Sequence, residues 1–121
     1  MDRKQWEPAH EPEDLARLLV ERLNVGDVEG LVELYEPNAV LALGNGENAV
    51  GTEAIRQFYG RLLANPIPFE PGEQRPALRM GDLALTSTRL VNGTVTAEVA
   101  RRQPDGSWRW VIDQPVIARG S

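Results

Sequence analysis

The side chains with the greatest chemical capacity stand late in the chain. Asp113 lies in the run Trp110-Val111-Ile112-Asp113-Gln114. A carboxylate held among such neighbours resists ionisation, so its pKa moves toward the range where it can act as base or acid at neutral pH. Arg101 or Arg89 beside it would instead keep it charged, and Arg101 alone suits binding a substrate carboxylate or polarising a carbonyl. Tyr35 and Tyr59 each bring a hydroxyl to an apolar helical face, where either can donate to a ligand oxygen. Every one of these residues also has a plainer reading. Asp113 can bond local backbone ahead of Pro115, Arg101 can pair with a surface acid, and the tyrosines can pack in a core with hydroxyls at its rim.

Other chemistries are excluded or disfavoured. Cysteine is absent and His10 is the only histidine, set in the polar lead-in Glu7-Pro8-Ala9-His10-Glu11-Pro12. Thiolate chemistry is therefore impossible, and a histidine-based metal site or triad has no residues to build it. No metal or cofactor is expected. The loop Gly44-Asn45-Gly46 lacks the lysine and Ser/Thr of a phosphate loop. A net charge of −5 opposes binding to nucleic acid or to anionic membranes. The N-terminus has no apolar core of a signal peptide, so a cytoplasmic protein is expected.

The elements that must position these side chains follow from periodicity. Pro12-Glu13-Asp14 begins a helix with Leu15, Leu18, Leu19 and Leu23 on one face, ended by Gly26. Asp27 caps a second helix presenting Val28, Leu31, Val32 and Tyr35. A strand over 39–43 and a turn-rich loop precede a third helix, capped by Thr52, with the stripe Ile55, Phe58, Tyr59, Leu62 and Leu63. A proline-rich stretch from Pro66 then leads into an antiparallel meander, with Asn92-Gly93 and Asp105-Gly106 as its hairpin turns. A two-residue turn at 105–106 pairs Arg101 with Trp110 and Glu98 with Asp113, and a bulge there would shift the register by one. Helices followed by hairpins make an α+β fold. The expectation is one domain over 1–121, with 1–11 as a flexible arm.

This order of elements resembles the NTF2-like superfamily, more narrowly its SnoaL-like and ketosteroid-isomerase-like small bacterial proteins. Three stretches carry the likeness: Leu31-Val32-Glu33-Leu34-Tyr35-Glu36-Pro37-Asn38-Ala39-Val40, Gly51-Thr52-Glu53-Ala54-Ile55-Arg56-Gln57-Phe58-Tyr59, and 101–115 with its Trp108-Arg109-Trp110 centre. The resemblance implies a cone, with three N-terminal helices packed on a strongly curved antiparallel or mixed sheet that encloses an apolar pocket. It places Trp110, Ile112 and Gln114 toward the pocket, with Val99, Tyr35, Phe58 and Leu41 completing the ligand-binding set. Two departures bear on activity. The strand 39–43 carries no acid where ketosteroid isomerases need their base, and Ile112 and Gln114 occupy positions where many relatives carry histidine.

The sequence therefore points to a small-molecule-binding domain for a mostly apolar ligand, homodimeric through the outer face of its sheet. The alternative is an isomerase, cyclase or hydrolase for a polyketide-like or terpenoid molecule, with Asp113 as acid-base and Arg101 or Tyr59 orienting its oxygen. A third reading, a purely associative module, requires a cone filled by side chains.

Overall fold

The computed structural model describes residues 6–65 and 68–119. Residues 1–5 of the expected arm, and Pro66, lie outside the described residues. Helix α1 spans Asp14–Val25 and buries Leu15, Leu18 and Leu23; it stops at Gly26, whose φ of 72° is the left-handed conformation that glycine adopts without steric penalty. Asp27 caps α2, Val28–Val32, by accepting from the Gly30 N–H at 3.0 Å. Its other oxygen accepts from the Trp6 indole at 2.7 Å. Residues 6–11 are therefore held against the domain where an arm is expected: Ala9 is buried, and its carbonyl accepts from the backbone N–H of Trp108 at 2.9 Å.

Helix α2 ends one turn sooner than its apolar spacing suggests. Tyr35 thus opens β1, Tyr35–Ala42, and does not lie on a helical face. Two chain reversals later comes α3, Thr52–Leu62, capped by Gly51 at φ 88°, with Thr52 as its first helical residue. Ile55 and Tyr59 of its stripe are buried, Phe58 is half-buried and Leu62 is exposed.

Strands β2 (Asn48–Val50), β3 (Glu73–Gln74), β4 (Leu78–Met80), β5 (Leu83–Thr86), β6 (Thr88–Arg89), β7 (Val95–Arg102) and β8 (Trp108–Ala118) complete a mixed sheet in the order β2-β1-β8-β7-β5-β4. Strand β6 joins it through β7, and β3 through β6. Only the β1–β8 pair is parallel among the described strands. The three helices and this curved sheet enclose the core, where Leu15, Leu18, Leu31, Leu41, Ile55 and Trp110 are the largest fully buried apolar side chains.

The closing hairpin decides which side chains reach that core. Its loop spans Pro104-Asp105-Gly106, with Gln103 N–H donating to the Ser107 carbonyl at 2.7 Å. This three-residue loop pairs Arg102 with Trp108 and Arg101 with Arg109. The register then slips by one between Ala100↔Trp110 and Val99↔Ile112, leaving Val111 as the extra residue of a β-bulge. Beyond the bulge Glu98 faces Asp113, as the hairpin count expects, whereas the expected Arg101–Trp110 pair does not form.

Candidate functional site

Strict alternation cannot turn Trp110 and Asp113 the same way, because they are three residues apart. The bulge at Val111 resolves this: Trp110 is 2% exposed and Asp113 6%, while Ile112 between them is 49% exposed. Register then sets up two parallel rows across the sheet. On the inner face, Ala49, Leu41, Asp113, Glu98 and Thr86 are successive cross-strand neighbours. On the outer face the next row reads Val50, Val40, Ile112, Val99, Leu85 and Leu78.

Asp113 ends a short chain of hydrogen bonds that has Tyr35 at its centre. The Tyr35 hydroxyl donates to its Oδ2 at 2.6 Å, and the Tyr59 hydroxyl lies 2.6 Å from that of Tyr35. All three side chains are buried. Tyr35 comes from the first residue of β1, held close by the Trp110 N–H donating to the Leu34 carbonyl at 2.7 Å. Tyr59 comes from the inner face of α3, its ring edge-on to Phe58 with centroids 5.0 Å apart. Tyr35 packs on Trp110 at 5.3 Å.

No arginine, lysine or histidine pairs with Asp113 or Glu98 among the described residues. Burial consequently pushes the Asp113 carboxyl up to about 7; the Tyr35 hydrogen bond works against that rise and the negative charge of Glu98 adds to it. Glu98 is raised as well, by burial, although its Oε1 accepts from the Thr86 hydroxyl at 2.7 Å. The Tyr35 and Tyr59 phenols are both pushed up, first by burial and then by the Asp113 charge, which keeps them as neutral hydroxyls. A carboxyl that changes protonation near neutrality, bonded to neutral phenols, has the chemistry of a general acid-base group with hydrogen-bond donors beside it.

Of the expected site residues, the structure thus gathers Asp113, Tyr59, Tyr35, Trp110 and Leu41, with Phe58 half-buried alongside. Ile112, Gln114, Val99 and Arg101 are not among them. Ile112 and Gln114 point outward because the bulge inverts the face after Val111, and Val99 is the outer-face partner of Ile112. Arg101 is carried outside by the three-residue loop, where its Nε donates to Glu36 at 3.0 Å. Sequence reasoning assigned no role to Glu98 or Thr86. The pattern in β7 pointed the other way for Glu98, because Thr94, Thr96 and Glu98 alternate with the more apolar Val95, Ala97 and Val99, which reads as a solvent-facing acid. Surface hollows of about 430 Å³ between the 44–48 loop and the end of β8, 170 Å³ beside Trp6 and Trp108, and 260 Å³ along Leu78, Met80 and Leu85 are present, with Gln114 lining the first and Val99 the third. None of these three is lined by Asp113, Tyr35 or Tyr59.

Helices packed on a curved mixed sheet, with polar side chains converging inside it, define the α+β class of NTF2-like domains. The SnoaL-like domain model matches residues 16–119, and the chain belongs to that family. Among solved structures it is similar to a domain provisionally described as a calcium/calmodulin-dependent protein kinase type II association domain from Thiobacillus denitrificans (14% identity, 92% of this chain and 96% of that one, TM-score 0.72). It is also similar to a ketosteroid isomerase-like protein from Erwinia carotovora atroseptica (19%, 84% and 88%, 0.65). A third similar structure is an NTF2-like protein with a cystatin-like fold from Novosphingobium aromaticivorans (25%, 84% and 77%, 0.54). No curated protein matches the chain.

Proposed function

We propose that this SnoaL-like protein binds a small, mostly apolar molecule bearing an oxygen function and moves a proton on it with Asp113, as an isomerase, cyclase or hydrolase of polyketide-like or terpenoid compounds. One observation carries this reading: a carboxyl 6% exposed, without a cationic partner among the described residues, bonded to a tyrosine that is itself bonded to a second. A receptor for an apolar ligand, or a purely associative core, gains nothing from such a group, whose ionised form destabilises the fold. Asp113 exchanges the proton through Tyr35 and the Tyr59 hydroxyl holds the oxygen; Arg101 has no part in it. A panel of a steroid enone, a lactone and an epoxide tests the reading. Turnover of at least one is expected, with Asp113→Asn lowering kcat by roughly 10²–10⁴-fold while circular dichroism stays unchanged. Turnover equal in the two proteins removes Asp113 from the mechanism, and absence of turnover returns the protein to a binding role.

The outer apolar row supports a homodimer. Its six residues cross six adjacent strands, about 24 Å at the usual spacing. Val50, Ile112, Leu85 and Leu78 are 60%, 49%, 47% and 69% exposed in the single chain. A contiguous apolar band of this kind calls for a covering surface, and a second copy offers the same band in return. Ile112→Glu at its centre should convert dimer to monomer in light scattering with secondary structure retained. A wild type that is already monomeric at high concentration would remove the dimer. Among the described residues, no helix is long and apolar enough to cross a membrane.

A further inference from the structure

The oxygen of Tyr35 is 2.6 Å from both Asp113 Oδ2 and the Tyr59 oxygen, and a phenol has one proton to donate. With Asp113 ionised, the carboxylate can only accept. Tyr35 then donates to Asp113 and Tyr59 donates to Tyr35, so Tyr59 presents only lone pairs to anything beyond. With Asp113 protonated, the reverse order opens: Asp113 donates to Tyr35, Tyr35 donates to Tyr59, and the Tyr59 hydrogen is left for a further acceptor. The titratable groups around Asp113 are Tyr35 from β1, Tyr59 from α3 and Glu98 from β7, and its β1 register neighbour is the apolar Leu41. No cation among them holds Asp113 in its ionised form.

We propose that Asp113, Tyr35 and Tyr59 form a hydrogen-bond relay whose direction is set by the proton on Asp113, so that an acceptor oxygen, of a ketone or enone, binds at the Tyr59 hydroxyl together with one proton. This rests on the reading of the interior as a small-molecule site and specifies the ligand class and protonation state it takes. A ligand that donates a hydrogen bond to Tyr59 belongs with the ionised state and brings no proton.

The relay is tested first without ligand. In infrared difference spectra from about pH 5 to 9, the protonated carboxyl band of Asp113, identified by its loss in Asp113→Asn, should vanish at a midpoint shared with a shift of the Tyr59 C–O band, identified by its loss in Tyr59→Phe. A Tyr59 band that stays fixed while Asp113 titrates overturns the relay. The ligand class is tested by calorimetric titration with 1-tetralone and with tetralin, the same ring system without the oxygen. Tetralone affinity should fall tenfold per pH unit above the Asp113 midpoint, with one proton taken up per ketone bound. The pH dependence should vanish in Asp113→Asn, and Tyr59→Phe should bind tetralone no better than tetralin. Tetralone binding without proton uptake overturns the relay and leaves the small-molecule site standing. A titrating relay with tetralone bound no better than tetralin overturns the ketone assignment, and failure of both ring systems to bind counts against the small-molecule reading itself.

Discussion

At pH 8, Asp113→Asn should be more stable than the wild type by up to about 4 kcal/mol, and at pH 4 the two proteins should differ little. An unfolded aspartate ionises near 3.8, whereas the folded protein holds the Asp113 proton up to about 7. Below 3.8 both states are protonated and the stability from this group is fully present. Between 3.8 and 7 only the folded state holds the proton, so stability falls by 1.36 kcal/mol per pH unit over about three units, and it levels off above 7. Asparagine fills the same volume and can still bond Tyr35, but it never carries the charge that burial penalises. Chemical denaturation of both proteins at the two pH values checks this. A variant less stable than wild type at pH 8, or a difference independent of pH, would show that the Asp113 charge is better compensated than its surroundings indicate. The same substitution is expected to lower kcat, so stability and activity should move in opposite directions at one residue, as at sites kept for function.

Trp110→Ala is expected to cost about 3–5 kcal/mol. Its indole is 2% exposed, packs against Tyr35, and stands where β8 turns its bulge into the core. Removing it leaves a cavity beside the Tyr35–Asp113 bond, which backbone constrained on both sides by β1 and β7 cannot collapse to fill. Trp110→Phe should cost far less, about 1 kcal/mol. The indole Nε1 has no hydrogen-bond partner among the described residues, so phenylalanine surrenders some packing but also removes a buried unsatisfied donor. Urea midpoints of the two variants separate these contributions. Equal losses would mean that the indole N–H, or the full ring volume, matters more than packing against Tyr35.

Local chemistry in the chain placed the three helices and the positions of the turns, but not the end of α2 or the length of the 104–106 loop. Leu15, Leu18 and Leu23 before Gly26 define α1, and Asp27 caps α2, because capping and 3.6-residue periodicity act within a few neighbours. The hairpin partners Glu98 and Asp113 agree with a count from a two-residue turn only because the three-residue loop and the bulge at Val111 shift the register in opposite directions. The location of Tyr35 was less legible: its apolar spacing continues the α2 pattern, and pairing with Trp110 on a strand distant in sequence overrides it.

The amino-acid sequence by itself thus determined the α+β class, and it singled out Asp113 as the acid on which the proposed function rests. Which face of β8 looks inward was settled only by tertiary structure. Alternation says that neighbours oppose one another but not which of them is buried, and a single extra residue at Val111 reverses the answer for everything after it. That reversal, together with the odd-length loop before it, sent Arg101, Ile112 and Gln114 outward and brought Asp113 against Tyr35. The elevated carboxyl pKa follows from that contact geometry and from Glu98 across the strand, because desolvation depends on what surrounds a group in space and not on its neighbours in the chain.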